Sequence, residues 1–455
     1  MDDFFDDVPT EEKREEKGVN TDMPPSNRVK RRKKIRNTAI AVGLAAVSFV
    51  AGGFAVWFSL DGEFRTLLKI KKAINENYYQ DIDDETFYGT LFDAVNYELL
   101  DGYSQYMTAD EYEASKGSLA GNRIGIGAVF STADKEGKPR MLVTRVCGNS
   151  PAESAGLKEG DFVVAFGKTQ ESMTESEVFD EFSDFLYATQ EGESFFMRVK
   201  RGDTTETLTM ARGVYVENYV FYRTNTSSYG FTGEKADVLT EKGAPLTCLN
   251  NDTAYIRLIQ FGDGTEKQFE SAMERFKADG KKNLVLDLRD NGGGYLDTMQ
   301  EIAGYFCKNA TEKKPVVVVA DYGEKKESFK AARNVYDEYF SADSHIWVLA
   351  DAGTASASEC LIGSMVDYGA IKFADICLLE RNGVAKTFGK GIMQTTFYLS
   401  AKLDAIKLTT AEIRWPVSGK SIHDRGVLPE DGAKTAAENI YGDEEIAGAL
   451  LALCG

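Results

Sequence analysis

Ile-Trp-Val-Leu-Ala-Asp-Ala-Gly-Thr-Ala-Ser-Ala-Ser-Glu, residues 346–359, compresses a strand, a turn and a helix start into one short stretch. The apolar run 346–350 reads as a buried strand. Asp351, Ala352 and Gly353 make a tight turn, and the small residues around Ser356 let a helix open there. A helix N-terminus offers free N–H groups and a positive dipole end, both favourable to a nucleophile whose attack builds negative charge. The same position equally suits a serine that only caps the helix.

Two other stretches have a similar character. Residues 286–294, Leu-Asp-Leu-Arg-Asp-Asn-Gly-Gly-Gly, run a strand into a glycine triplet. Such a turn can aim backbone N–H groups at a carbonyl oxygen, or cradle a phosphate. The G-K-[ST] ending of a P-loop and the spaced G-x-G-x-x-G fingerprint are both missing from it. Residues 387–394 read Thr-Phe-Gly-Lys-Gly-Ile-Met-Gln. If 390–394 is extended, Lys390, Ile392 and Gln394 share one face. A partly desolvated lysine loses its charge readily and can take a proton from a serine, with Gln394 orienting the amine. A solvated lysine in a glycine turn is the plainer alternative.

Around these stretches, residues 214–455 alternate short apolar runs with helical patterns, as an α/β unit does. Strands are expected at 254–259, 284–288, 316–320 and 346–350, with helices at 264–279, 295–307 and 356–368. Upstream, 62–118 carries helix-like spacing (Phe64, Leu67, Leu68, Ile74, then Phe87, Leu91, Val95), and Thr108 with Glu111 forms a capping-box pattern. Between them, 119–213 reads as a small β/α unit. Its series Gly125-Ile126-Gly127-Ala128, then Ser-Pro-Ala-Glu-Ser-Ala-Gly-Leu-Lys-Glu-Gly-Asp (150–161), then Phe-Val-Val-Ala-Phe-Gly-Lys-Thr (162–169) resembles a PDZ domain. That resemblance implies that the loop 125–128 presents N–H groups to a peptide's terminal carboxylate and that the peptide adds to the sheet edge.

Residues 38–60 form 23 residues without a charge, long enough to span a bilayer. The basic run 30–34 precedes them and Trp57 lies near their far end, so the positive-inside rule leaves 1–37 in the cytoplasm as a polar, disordered tail. Everything after residue 60 is then exported.

Composition narrows the function. With a net charge of −19, the 455-residue chain lacks the basic balance of a nucleic-acid binder. Its six cysteines contain no C-x-x-C pair, its two histidines limit His-based chemistry, and no metal-ligand spacing stands out, so neither a metal nor another cofactor is expected.

Taken in order, the glycine turn (286–294), the Ala-Ser-Ala-Ser-Glu box (355–359) and the Phe-Gly-Lys-Gly-x-x-Gln box (388–394) resemble the carboxyl-terminal processing serine peptidases, also called tail-specific proteases. The upstream PDZ-like unit and Asp-Gly-Tyr-Ser-Gln-Tyr (101–106) add to the likeness. The resemblance implies a multidomain α/β protein: a transmembrane helix, a helical segment, a PDZ-like domain and a peptidase core of the ClpP/crotonase-like type. It further implies that Ser356 is the nucleophile, Lys390 the general base and Gln394 its support. Gly293 or Gly294, with Ala357, would supply the oxyanion hole. The implied partners are protein or peptide substrates with free C-termini, and the membrane through one helix; a homo-oligomer is compatible with the sequence. Ser358 is the rival nucleophile. A catalytically inactive, tethered PDZ scaffold on the same fold is the alternative function. The step from Ser356 to Lys390 is longer than the family's, and the excess, 373–386, reads either as a surface loop that leaves Lys390 in place or as a change in how the base reaches the serine.

Overall fold

The computed structural model describes residues 61–119, 122–133, 139–148, 150–216, 218–231, 239–241, 245–399, 404–437 and 443–454. The expected tail (1–37) and transmembrane helix (38–60) lie outside them. Among the described residues, no helix is long and apolar enough to cross a membrane.

The chain divides into two units, Met1–Leu91 and Phe92–Gly455. In the first, the Gly62–Asn77 helix starts at Asp61, whose carboxylate accepts from Glu63 N–H at 2.8 Å. A second helix begins at Asp84, and Lys71 Nζ reaches Asp84 Oδ1 at 2.7 Å.

In the second unit, five strands run parallel: Thr253–Leu258, Asn283–Asp287, Ile346–Ala350, Ile376–Leu379 and Lys434–Ala436. Antiparallel Val220–Arg223, Ser228–Phe231 and Leu239–Glu241 extend the sheet to eight strands. The near-continuous apolar runs of Thr253–Leu258, Asn283–Asp287, Ile346–Ala350 and Ile376–Leu379 follow from burial on both faces. Successive side chains alternate between two cores. Ile256, Leu286, Val348 and Leu378 meet the helices Thr265–Ala278, Leu296–Ala303 and Ala357–Asp367 on one side. Tyr255, Val285, Leu349 and Cys377 meet the helix Asp443–Cys454 on the other. Parallel strands end on the same edge, so the turns after 258, 287 and 350 are neighbours there.

A five-stranded sheet carries Ile392–Tyr398, paired antiparallel with Ala405–Arg414. Gln105–Met107 also pairs with Ala405–Arg414, inside a segment whose spacing suggests only helices. Three residues are too few to show a period, and only their distant partner makes them a strand. A six-stranded sheet between residues 128 and 211, with the helix Phe179–Ala188, has its own core around Val163, Phe182, Phe195 and Met197.

The stretch 373–386 is not a surface loop. Ile376–Leu379 is a fully buried strand of the eight-stranded sheet. The turn after it is exposed, with Asn382 and Gly383 both at positive φ (53° and 76°) and Arg381 and Val384 exchanging backbone hydrogen bonds. This is the geometry of a tight hairpin turn.

Beneath the glycine turn lies a buried ion network. Arg289 makes paired hydrogen bonds to Asp287 and contacts Glu445 of the last helix. Arg381 bonds Glu445 and lies 3.0 Å from Asp351 Oδ2. Burial alone would raise the Asp287 carboxyl, but the Arg289 charge and hydrogen bonds outweigh it and hold the pKa near about 2. Arg289→Leu leaves Asp287 and Glu445 without their cation; urea unfolding should show a loss of roughly 3–5 kcal/mol. The wild-type contribution of Asp287 should persist down to about pH 4 and fade as pH drops towards 2, because its folded pKa lies below the unfolded value. A change below about 1 kcal/mol in Arg289→Leu would mean the network is not holding the sheet.

Candidate active site

Ser356 sits at the N-cap of the Ala357–Asp367 helix with φ 59° and ψ −117°. Positive φ at a residue with a Cβ costs on the order of 1–3 kcal/mol, so the surroundings must impose it. Asn291 O accepts both Ala355 N–H, at 2.9 Å, and Ser358 Oγ–H, at 2.9 Å. Gly293, at φ 97°, presses so close that a Cβ would lie 2.8 Å from Ser356 Cβ and 2.9 Å from Ala355 O. Gly293 is therefore a steric requirement of the serine turn.

Ser358, the rival nucleophile, is fully buried with its hydroxyl committed to Asn291. Cys360 lies one turn deeper, and burial pushes its thiol up to about 12. His423 sits beside Gly391 and Asp424.

The oxyanion candidates divide. Gly293 N–H is already donated to Asn291 Oδ1 at 2.9 Å, so in this conformation it is engaged. Gly294, at φ 143°, is held against Phe261, where a Cβ would meet Phe261 O at 2.2 Å. Ala357 N–H, at the first helical position, has no intrahelical acceptor. Gly294 and Ala357 are thus the candidates whose N–H groups have no acceptor among the described residues.

Lys390 is half-buried, and Gln394 Oε1 accepts from its Nζ at 2.9 Å. Burial lowers the amine's pKa; the Lys407 charge adds to this and Asp101 opposes it. No hydrogen bond joins Lys390 Nζ to Ser356 Oγ among the described residues.

What joins the two segments is Glu359. It stands three residues after Ser356 and is fully buried. Its Oε2 accepts from Ser356 N–H at 3.0 Å and from Lys390 N–H at 2.9 Å. Its Oε1 accepts from Gly389 N–H at 2.9 Å and Thr387 Oγ–H at 2.5 Å. One oxygen atom thus holds the backbones of both residues. Burial pushes this carboxyl up and the four donors oppose the shift.

The sequence reading missed Glu359 as more than part of a motif, although an acid at the third position of a helix is a capping signal. Tyr103 was missed in the same way. Its carbonyl accepts from Gln394 Nε2, and its ring lies 5.4 Å from Lys390 Nζ.

Residues 252–431 match the sequence profile of Peptidase family S41. The match covers 180 of the chain's 455 residues. The S41 segment spans the glycine turn, the serine turn and the Lys390 strand. Over 361 residues the chain is 29% identical to a Staphylococcus haemolyticus protein named as a CtpA-like serine protease, covering 79% of this chain and 62% of that protein. A protein of the same name from Staphylococcus saprophyticus is 28% identical, with 86% of this chain and 71% of the relative covered. A solved Bacteroides fragilis structure named for the S41 proteases shares the fold, with a TM-score of 0.52 at 16% identity over 83% of this chain and 90% of that one.

Glu359→Gln sets an amide NH2 against N–H and O–H donors and leaves buried donors unpaired. Urea unfolding should show a loss of about 1–3 kcal/mol. An unchanged midpoint would mean the four bonds do not form the clamp.

Proposed function

We propose that this chain is a membrane-anchored serine endopeptidase of the Ser-Lys type, with its catalytic part outside the cytoplasm. The observation that carries the reading is the shared Glu359 oxygen. It holds the turn of a strained serine next to a half-buried, depressed-pKa lysine, beside the glycine turn.

In this mechanism, neutral Lys390 leaves Gln394 and takes the Ser356 proton as Oγ bonds the scissile carbonyl carbon. The N–H groups of Gly294 and Ala357 hold the resulting oxyanion. The leaving amine departs with a proton from Lys390, and water then hydrolyses the acyl-enzyme with Lys390 again as base. Catalytic hydrogen bonds are commonly looser before substrate binds, in keeping with the amine resting on Gln394.

Substrate selection is assigned to the six-stranded unit, read as a PDZ domain. Three features support this. Ala128–Ala133 is an edge strand, and Phe130 packs against Phe182 of the Phe179–Ala188 helix with ring centroids 5.6 Å apart. The carbonyls of Ile126 and Gly127 are taken by Ala152 and Cys147 N–H groups. In trans peptides the N–H groups of Gly127 and Ala128 then point the other way, towards a ligand. Residues 38–60 supply the anchor in this reading.

The full chain in detergent, given an unfolded protein substrate, should cleave it, whereas Ser356→Ala and Lys390→Ala should lose at least about a hundredfold in kcat/KM. Full activity in either variant removes this mechanism. Activity should rise with pH as Lys390 deprotonates, with a midpoint below the ordinary lysine value because its pKa is lowered.

A further inference from the structure

Tyr103 lies 287 positions before Lys390 in the chain, yet it reaches the amine by two routes. The face of its ring stands 5.4 Å from Lys390 Nζ. Its carbonyl oxygen accepts from Gln394 Nε2, and Gln394 Oε1 in turn accepts from Lys390 Nζ at 2.9 Å.

This placement is enforced by the backbone. Asp101 Oδ1 accepts Tyr103 N–H at 2.9 Å and Ser104 N–H at 2.6 Å, closing a turn around the tyrosine. Ser104 Oγ accepts Thr409 N–H at 2.8 Å, and Gln105–Met107 then pairs with Ala405–Arg414. That strand also pairs with Ile392–Tyr398, which follows Lys390 directly. The ring is flanked by Phe388 at 6.5 Å and His423 at 6.3 Å.

We propose that Tyr103 is a positioning residue for the lysine. Its carbonyl sets the glutamine that aims the amine, and its ring face stabilises the ammonium that exists after Lys390 has taken a proton. The role in catalysis rests on the Ser-Lys reading above. The effect on the amine does not.

An aromatic face attracts a cation, and more strongly in a partly desolvated site. A neutral amine gains far less. The ring therefore favours the protonated state and counteracts burial, which favours the neutral one. The site needs both: an amine neutral at rest and an ammonium tolerated once the serine has been deprotonated. Other charges around Nζ are Lys407 on the neighbouring strand and Asp101 on the tyrosine turn. Glu359 holds the lysine backbone, and His423 and Asp424 lie by the tyrosine.

The test is the apparent pKa of Lys390 in the full chain in detergent, measured by competitive acetylation with trace acetic anhydride and mass spectrometry. Tyr103→Phe keeps the ring and should leave the value unchanged. Tyr103→Leu keeps apolar bulk but no π face, and should lower it by roughly half a unit to one and a half units. Should Tyr103→Leu not fold, a series of phenylalanines of increasing fluorination at position 103 keeps the shape and should lower the value stepwise. No change along the series, or an equal fall in Tyr103→Phe, overturns the proposal. Labelling needs no turnover, so a wild type that cleaves nothing would sink the peptidase reading and leave this measurement decisive by itself.

Discussion

A single buried carboxylate organises the site. Glu359 accepts four hydrogen bonds from donors on two segments that the chain joins only through a further sheet strand and a hairpin turn. Burying a charge is costly unless it is saturated with donors, and here the donors are mostly backbone N–H groups that need partners themselves. The acid caps the Ser356 helix with one oxygen while that oxygen also fixes the start of the lysine strand. Neither segment can move without unsatisfying the other, which explains how a serine with a strained backbone stays next to a lysine carried by a different sheet.

The second constraint is steric. The parallel strands Thr253–Leu258, Asn283–Asp287 and Ile346–Ala350 lie side by side and deliver three consecutive turns to one edge of the sheet. Gly293 fits against Ser356, and Gly294 against Phe261, only because neither has a Cβ. The position of the serine, the glycine requirement and the open N–H of Ala357 follow from the same crowding.

Much of this was legible in the sequence because it is local. The strand Ile346–Ala350 is where its apolar run places it, and the helices at 265–278 and 357–367 lie within a residue of their expected limits. The glycine turn and the Lys390–Gln394 pair also announce themselves by residue type. What could not be read is long-range. Nothing near Gln105–Met107 indicates a partner at Ala405–Arg414, so the approach of Tyr103 to Lys390 was hidden. The engagement of Gly293 N–H by Asn291 depends on a side-chain rotamer, which no spacing reveals. The stretch 373–386 is a different case. Ile376-Cys377-Leu378-Leu379 is an apolar run that signals a buried strand, and family length comparison obscured it.

The ion network beneath the glycine turn has a consequence for biosynthesis. Asp287 and Arg289 are made early, whereas the Glu445 carboxylate that joins Arg289 to Arg381 emerges 156 positions after Arg289. Until that helix is delivered, Arg289 has only Asp287 and Arg381 only Asp351, and the carboxylate that bridges the two guanidinium groups beneath the serine turn is missing. A nascent chain therefore carries an incomplete floor beneath the Ser356 turn until Glu445 has been added.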